Sequence, residues 1–285
     1  MAGGKASIDD LLDLVGILPP MPLIARKATE IIKNPKSNMA DLATVIKLDP
    51  SISGLILRWV NSAYYALISP VVSIEQAVTL LGQRTVQNLV LSASVAKFMG
   101  KPVSGYDLRS GDLWKHAVGT AAGARLLAHD IAPRMAEDGY YAGLFCDVGK
   151  LALGVLMQGM NLDYKAVTAK KQSFQQLERK IFGYDHAEVS AAMARRWSLP
   201  DHLIKIIQYH HTPAEVKGEW RPLAYAVHAA DVTMMMLGIG VGVDGLQYPL
   251  DPETADVINW NEDTYARLIE RILPVIEENE AFLRK

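Results

Sequence analysis

Seven side chains able to hold a metal ion are scattered through the later part of the sequence: His116, Cys146, Asp147, His186, His210, His211 and Asp231. Imidazole and carboxylate donors converging from several helices are how helical bundles build metal centres. Each of these residues lies on a predicted helix or at its end. Asp231 is the most telling. It sits mid-helix in "LAYAVHAADVTMMM", on one face with Ala224, Val227 and Met235. An ionised carboxylate there is costly unless a cation, a metal or several donors face it. His228, one turn earlier, is the structural candidate for that partner, and the run Met234–Met236 reads as core filler.

The histidines carry competing readings. His116 shares a helix face with Asp112 and Thr120, and is either a satisfied buried histidine or a ligand. His186 follows Asp185, which pairs with Glu188 as a capping box. It is either a solvent-facing first-turn residue or a donor lined up with Val189 and Met193. His210 ends the stripe Leu203, Ile206, Ile207 at helical spacing. For it and His211 the alternative is a cation placed at the negative end of a helix dipole. His202, in the opening turn of that helix, is expected to be solvated. The pair His129–Asp130 is a decoy. It lies thirteen residues beyond His116, which at ~100° per residue is roughly 220° around the helix, in a turn expected to face water.

Cys146 precedes Asp147 in "GLFCDVGK", residues 143–150. Thiolate is a good zinc ligand. It also neutralises more of the ion's charge than imidazole does, so the ion polarises bound water less and is a poorer generator of hydroxide. The alternative is a small apolar filler.

The elements that must position these residues are helical throughout. Asp49 and Pro50 open a helix whose apolar stripe is Ile52, Leu55, Ile56, Trp59 and Val60. "SNMADLATVIKL" starts at a Ser/Asn cap with Leu42, Val45 and Ile46 on one face. "SIEQAVTLLG" pairs Ser73 with Gln76 and stops at Gly82. Tyr265, Leu268, Ile269, Ile272 and Ile276 predict a last amphipathic helix, which Pro274 is expected to kink or restart. No run of alternating strands with hairpin turns is evident. The fold class is all-α, a multi-helix bundle. A Gly- and Ser-rich break at 100–112 separates an N-terminal helical lobe from a larger helical region.

Composition narrows the function classes. Half of the 285 residues are hydrophobic and the formal net charge is −2. Residues 1–100 carry nine Lys/Arg against seven Asp/Glu, and the remainder twenty against twenty-four. Neither part has the basic balance of an electrostatic nucleic-acid binder. One cysteine permits no intrachain disulfide, which suits a reducing compartment. The first residues lack the apolar core of a signal peptide, and no stretch is read as approaching the ~20 apolar residues that span a bilayer. These features predict a cytoplasmic protein away from membranes.

Two resemblances follow from the motifs. The later region is similar to the HD superfamily of metal-dependent phosphohydrolases, whose pattern is a His, a His-Asp pair and a later Asp. The N-terminal region resembles the HDOD domain more specifically, through Leu18-Pro19 with Pro22, Asp49-Pro50, Asn61-Ser62, and Ala77 to Leu81-Gly82. The likeness runs over about residues 12–210. It implies an N-terminal helical lobe over 1–105, packed on an HD-like helical domain with a C-terminal helical extension over 106–285. It also implies a bacterial signalling or regulatory module, non-catalytic, that meets signalling proteins and senses a divalent ion (Zn, Fe, Mn or Mg) or a small ligand in a relict pocket. A metal-dependent phosphodiesterase or phosphatase is the alternative. By that resemblance His116 matches the first ligand, Asp147 the Asp of the pair, with Cys146 in its histidine's place, and Asp231 the last Asp. His186, His210 and His211 match the extra histidines of two-metal HD-GYP relatives. The Gly-Tyr-Pro signature is absent after the paired histidines, where the chain reads "HHTPAEVKGEW".

Overall fold

The computed structural model describes residues 7–15, 23–34, 36–61, 67–158, 160, 173–243, 245 and 248–283. Helix dominates, and the described residues contain no strand or sheet; one isolated antiparallel bridge joins Val103 and Leu108. The chain divides into two compact units. One comprises residues 19–98. The other gathers residues 1–18 with 99–283.

In the first unit, α2 (Leu23–Lys33), α3 (Met39–Ile46), α4 (Pro50–Val60) and most of α5 (Ile74–Met99) follow one another. Their starts are set by side chains that satisfy orphan backbone N–H groups. Asn38 accepts from Ala40 and Asp41 at 2.8 and 3.1 Å, and Asp41 returns the bond to the Asn38 N–H at 2.9 Å. Asp49 caps α4 through the Ser51 and Ile52 N–H groups, with Pro50 at the first helical position. Ile52, Ile56, Trp59 and Val60 are buried and Leu55 is half-buried. Asn61, just past α4, holds the returning chain by donating to the Val71 carbonyl and accepting its N–H, at 2.8 and 2.7 Å. Ser73 caps the Gln76 N–H as expected, but the Gln76 side chain takes the N–H of Val72 instead of closing a box on Ser73. At Gly82 φ is +80°, so α5 is two helical stretches meeting at a break.

The second unit is built around α6 (Asp112–Ile131), which is buried along most of its length. Packed on it are α7 (Ala136–Phe145), α12 (Arg221–Met236) and α14 (Glu262–Leu283). Gly143 lets α7 approach α6: a Cβ there would stand 2.8 Å from the Thr120 carbonyl oxygen. Four turn residues, Cys146–Gly149, lead from α7 into α8 (Lys150–Met157). Then come α9 (Phe174–Phe182), α10 (His186–Arg196), α11 (Asp201–Gln208) and the short α13 (Thr254–Ile258). Helix α14 continues through Pro274 without restarting, with Leu268, Ile272 and Ile276 buried. The first helix, α1 (Ile8–Val15), docks here too. Arg196 on α10 bonds Asp9 at 3.0 and 3.1 Å and Asp13 at 2.7 Å, over buried Leu11 and Leu12.

One expectation needs correction. Residues 133–157 are long and apolar enough, by length and composition, to cross a membrane. The most apolar 18 residues of that segment are 78 % buried inside the protein, and the segment is interrupted by the 146–149 turn, so its apolar character is that of a core.

Candidate metal centre

Four helices and one turn bring the seven candidate residues together. His116 lies on α6, Cys146 and Asp147 in the turn after α7, His186 at the start of α10, His210 and His211 just past α11, and Asp231 on α12. Asp147 is central and fully buried. Its Oδ2 lies 3.2 Å from His116 Nε2 and 3.2 Å from Lys150 Nζ. Its Oδ1 lies 3.3 Å from His186 Nε2 and 3.8 Å from His210 Nε2. Asp231 Oδ1 is 2.8 Å from His116 Nε2, and its Oδ2 is 3.7 Å from His211 Nδ1. Nε2 of His186 and Nε2 of His211 face each other at 3.0 Å.

Local chemistry explains how the residues arrive there. The Asp185–Glu188 capping box starts α10, so His186 occupies its first turn, turned inward and fully buried. The turn carrying Asp147 can lie against α10 because residue 149 is glycine. A Cβ there would stand 2.2 Å from the His186 carbonyl oxygen, and its N–H donates to Ser190 Oγ at 2.7 Å.

Three of the imidazoles share one orientation. Nδ1 of His116 meets the Ile239 carbonyl at 3.1 Å, Nδ1 of His210 meets the Ile207 carbonyl at 2.8 Å, and Nδ1 of His186 meets Glu178 Oε2 at 2.8 Å. A carbonyl or carboxylate oxygen can only accept, so in each ring Nδ1 carries the proton and donates. In the neutral rings of His186 and His210 Nε2 then carries a lone pair directed into the cluster, whereas Nε2 of His116 donates to Asp231 Oδ1 at 2.8 Å. Such outer acceptors are the usual way a metal-binding histidine is oriented.

Electrostatics separate the histidines. Burial lowers the pKa of His210, and lowers that of His211 well below its usual range, helped there by His210 and His186. Burial would also lower His186, but the Glu178 carboxylate overrides it and lifts the value to about 9. His116 is raised, its burial outweighed by the hydrogen bond and charge of Asp231. Burial would raise the pKa of Asp147. The Lys150 ammonium and the neighbouring imidazoles outweigh it and keep the carboxylate ionised.

Three overlapping groups offer donors that lie within 4.8 Å of one another: Asp147 with His186, His210 and His211; His116 with Asp147 and Asp231; and Cys146 with His210 and Asp231. An ion bonded at roughly 2.0–2.2 Å to each ligand keeps neighbouring donors roughly 3.0–3.5 Å apart, and most separations around Asp147 fall in that range. Asp147 Oδ1, Asp231 Oδ2, His210 Nε2 and His211 Nδ1 are buried with no hydrogen-bond partner, while Asp147 Oδ2 has the Lys150 ammonium beside it. Buried polar atoms are rarely left so, and an ion between them would satisfy them together. The residues therefore fit a divalent cation. Cys146 fits less directly. Its buried thiol donates to the Gly143 carbonyl at 3.2 Å, and burial beside Asp147 and Asp231 pushes its pKa well up, away from thiolate.

Two local expectations are corrected. His228 is not the partner of Asp231. Its Nδ1 donates to the His210 carbonyl at 2.8 Å and its Nε2 accepts the Asp251 N–H at 2.9 Å, so it ties loops together while His116 faces Asp231. His202 is half-buried rather than fully solvated: its side chain is 21 % exposed, and it stacks on Trp220 at 4.0 Å, with Nε2 3.4 Å from Asp138. The His129–Asp130 pair is exposed as read, at 66 % and 52 %.

Glu178 is a residue that sequence reasoning passed over, as it did the buried Lys150. It is fully buried, and besides His186 Nδ1 it accepts the His186 N–H at 2.9 Å and the Tyr106 hydroxyl at 2.5 Å. A signal was available. Phe174, Leu177, Glu178 and Ile181 fall at i, i+3, i+4 and i+7, which puts a carboxylate on the apolar stripe of α9.

Comparison with known proteins places this fold among relatives. A curated Treponema pallidum protein, described only as uncharacterized, is 29 % identical over 234 residues, 81 % of this chain and 44 % of that protein. The chain thus spans less than half the length of that relative. Among solved structures, an HDOD domain protein of unknown function from Geobacter sulfurreducens superposes with a TM-score of 0.70 at 24 % identity, covering 97 % of this chain and 98 % of that one. A candidate signal transduction protein from Marinobacter aquaeolei gives 0.71 at 23 %, over 96 % of this chain and 61 % of that one. A candidate phosphohydrolase from Shewanella amazonensis gives 0.65 at 24 %, over 94 % and 97 %. At these identities the superpositions speak for the fold. The HDOD domain pattern itself matches residues 18–213, well over half of the sequence, and on that match this protein belongs to the HDOD domain family.

Proposed function

We propose that this protein is a bacterial signalling module whose second unit holds a divalent metal ion as a structural or sensing element and does not turn over a phosphoester. It would act in the cytoplasm, through contacts with signalling proteins. The observation that carries the reading is the closure of the donor cluster. The side chains of His116 and His211 are 3 % exposed, and those of Asp147, His186, His210 and Asp231 are 0 % exposed. Tyr248 stacks on the His211 ring at 4.1 Å and an interplanar angle of 7°. Structural metal sites are closed, whereas catalytic ones keep a position open to water and substrate.

The donor set supports the ion. Asp147, His186, His210 and His211 would hold it, with Asp231 and His116 alongside. When bound, such an ion supplies positive charge that fixes the surrounding helices and, in an open site, acidifies water. Lys150, 4 % exposed and 3.2 Å from Asp147, already places one buried cation beside the carboxylates. Elemental analysis of the purified protein, run beside a phosphodiester and phosphomonoester hydrolysis screen, tests the reading. Bound metal near one equivalent with no turnover is expected. Hydrolysis lost on Asp147→Ala would replace the reading with that of a phosphohydrolase, and absence of any metal would remove the ion from it.

A further inference from the structure

We infer that Glu178 is a positioning residue for the metal centre: its carboxylate, held by Tyr106, fixes His186 so that Nε2 faces Asp147 and His211. The inference rests on the metal-binding reading above. It is carried by three contacts that converge on one buried carboxylate. Oε2 accepts both the backbone N–H and Nδ1 of His186, at 2.9 and 2.8 Å, and Oε1 accepts the Tyr106 hydroxyl at 2.5 Å. Glu178 thus clamps the main chain and the ring of the same residue. It sets the position of the Cα, the rotation of the ring and the location of the ring proton together.

The other two rings with the same orientation, His116 and His210, rely on backbone carbonyls. His186 has a carboxylate instead, which makes the stronger, charge-assisted hydrogen bond. Its orientation matters to the cluster, because its Nε2 is within 3.3 Å of two other candidate ligands, Asp147 Oδ1 and His211 Nε2. Tyr106 completes the support. It is fully buried, packs on Phe174 of α9 at 5.2 Å, and lies beneath the Lys150 ammonium at 5.8 Å. Tyr106 therefore fixes Oε1, which also lies 3.0 Å from His186 Nδ1, so both carboxylate oxygens face the ring. Glutamine at 178 has one acceptor oxygen where three donors now point, and its amide would direct N–H groups at a donor.

The test uses the full chain. Zinc affinity is measured by chelator competition on wild type, Glu178→Gln and Tyr106→Phe. Imidazole 15N shifts of His186 are recorded without metal at alkaline pH, where the ring is neutral, and melting of the metal-free proteins is followed in parallel. E178Q is expected to bind zinc about 10- to 100-fold more weakly, the usual effect of losing an outer partner of a ligand histidine. Its His186 should become a mixture of Nδ1–H and Nε2–H tautomers. Unchanged affinity of the folded protein, with only a lower Tm, would mean a purely structural role and overturn the inference. Should E178Q not fold, Y106F decides: a loss of about threefold or more, the low end of one hydrogen bond's net worth, supports positioning, and unchanged affinity overturns it. If wild type takes up no metal, the metal-binding reading fails on its own. The shifts then decide the role of Glu178, since an identical tautomer in wild type and E178Q would overturn it.

Discussion

Asp147→Asn is the perturbation on which most of the reasoning can be judged. Its carboxylate belongs to two of the three donor groups and lies 3.2–3.3 Å from Lys150, His116 and His186. Two effects should therefore separate. Without metal, the variant leaves the buried Lys150 ammonium and the neighbouring imidazoles without their central anion. Breaking a buried pair costs about 3–5 kcal/mol, and the lower end applies because Lys150 has further interactions. For a domain of this size each kcal/mol moves Tm by roughly 2–4 °C, so the metal-free variant should melt roughly 6–12 °C below wild type. With metal at 100 times its Kd, wild type gains about 2.7 kcal/mol by mass action, a rise of roughly 5–11 °C on the same scale. D147N should lose most of that rise. The assay is differential scanning fluorimetry with and without EDTA, and with Zn, Mn, Fe(II) or Mg added back. Asp130→Asn, in the exposed His129–Asp130 pair, is the control and should change neither number. A D147N protein with the same metal-induced rise as wild type would refute the central placement of Asp147. A metal-free Tm equal to wild type would refute its role as the cluster's anion.

Three further outcomes follow from single features. Cys146 is fully buried and its thiol pKa is pushed up, so it should resist iodoacetamide in the native protein and label readily only in denaturant; rapid native labelling, read by mass spectrometry, would contradict its burial. Gly143→Ala would place a methyl 2.8 Å from the Thr120 oxygen and 2.9 Å from the Ala121 Cα. It should cost about 1–3 kcal/mol by urea denaturation, and a neutral result would mean that α6 and α7 part without strain. Asp185→Ala removes the cap of α10 and the partner of Gln175 and Arg179; about 1–2 kcal/mol should be lost, with metal affinity falling as His186 loosens, and unaltered stability would exclude the cap as the reason His186 points inward.

The helical class and the cap positions were legible because they depend on neighbours in sequence. Asp49 before Pro50, Asn38 with Asp41, and Asp185 with Glu188 act within one turn. Asp231 announced itself through its cost, as a carboxylate on an apolar face. What an imidazole bonds to is another matter. His228 is one turn from Asp231 in sequence, yet it bonds the His210 carbonyl and the Asp251 N–H, because the chain returns to it from both sides. His202 was expected in water and instead stacks on Trp220, eighteen residues away, for the same reason. The 133–157 segment shows the converse. Its composition alone cannot distinguish a core helix pair from a bilayer span; only burial by neighbouring helices does.

The docking of α1 has a consequence for biosynthesis. Its clamp, Arg196, and its neighbours on α8 and α10 are translated long after residues 8–15 have left the ribosome. At roughly 5–20 residues per second, the opening helix waits on the order of 10–35 s for its binding surface. In that interval residues 19–98, a compact unit by themselves, can fold first. Docking of α1 therefore waits until α10 has been made.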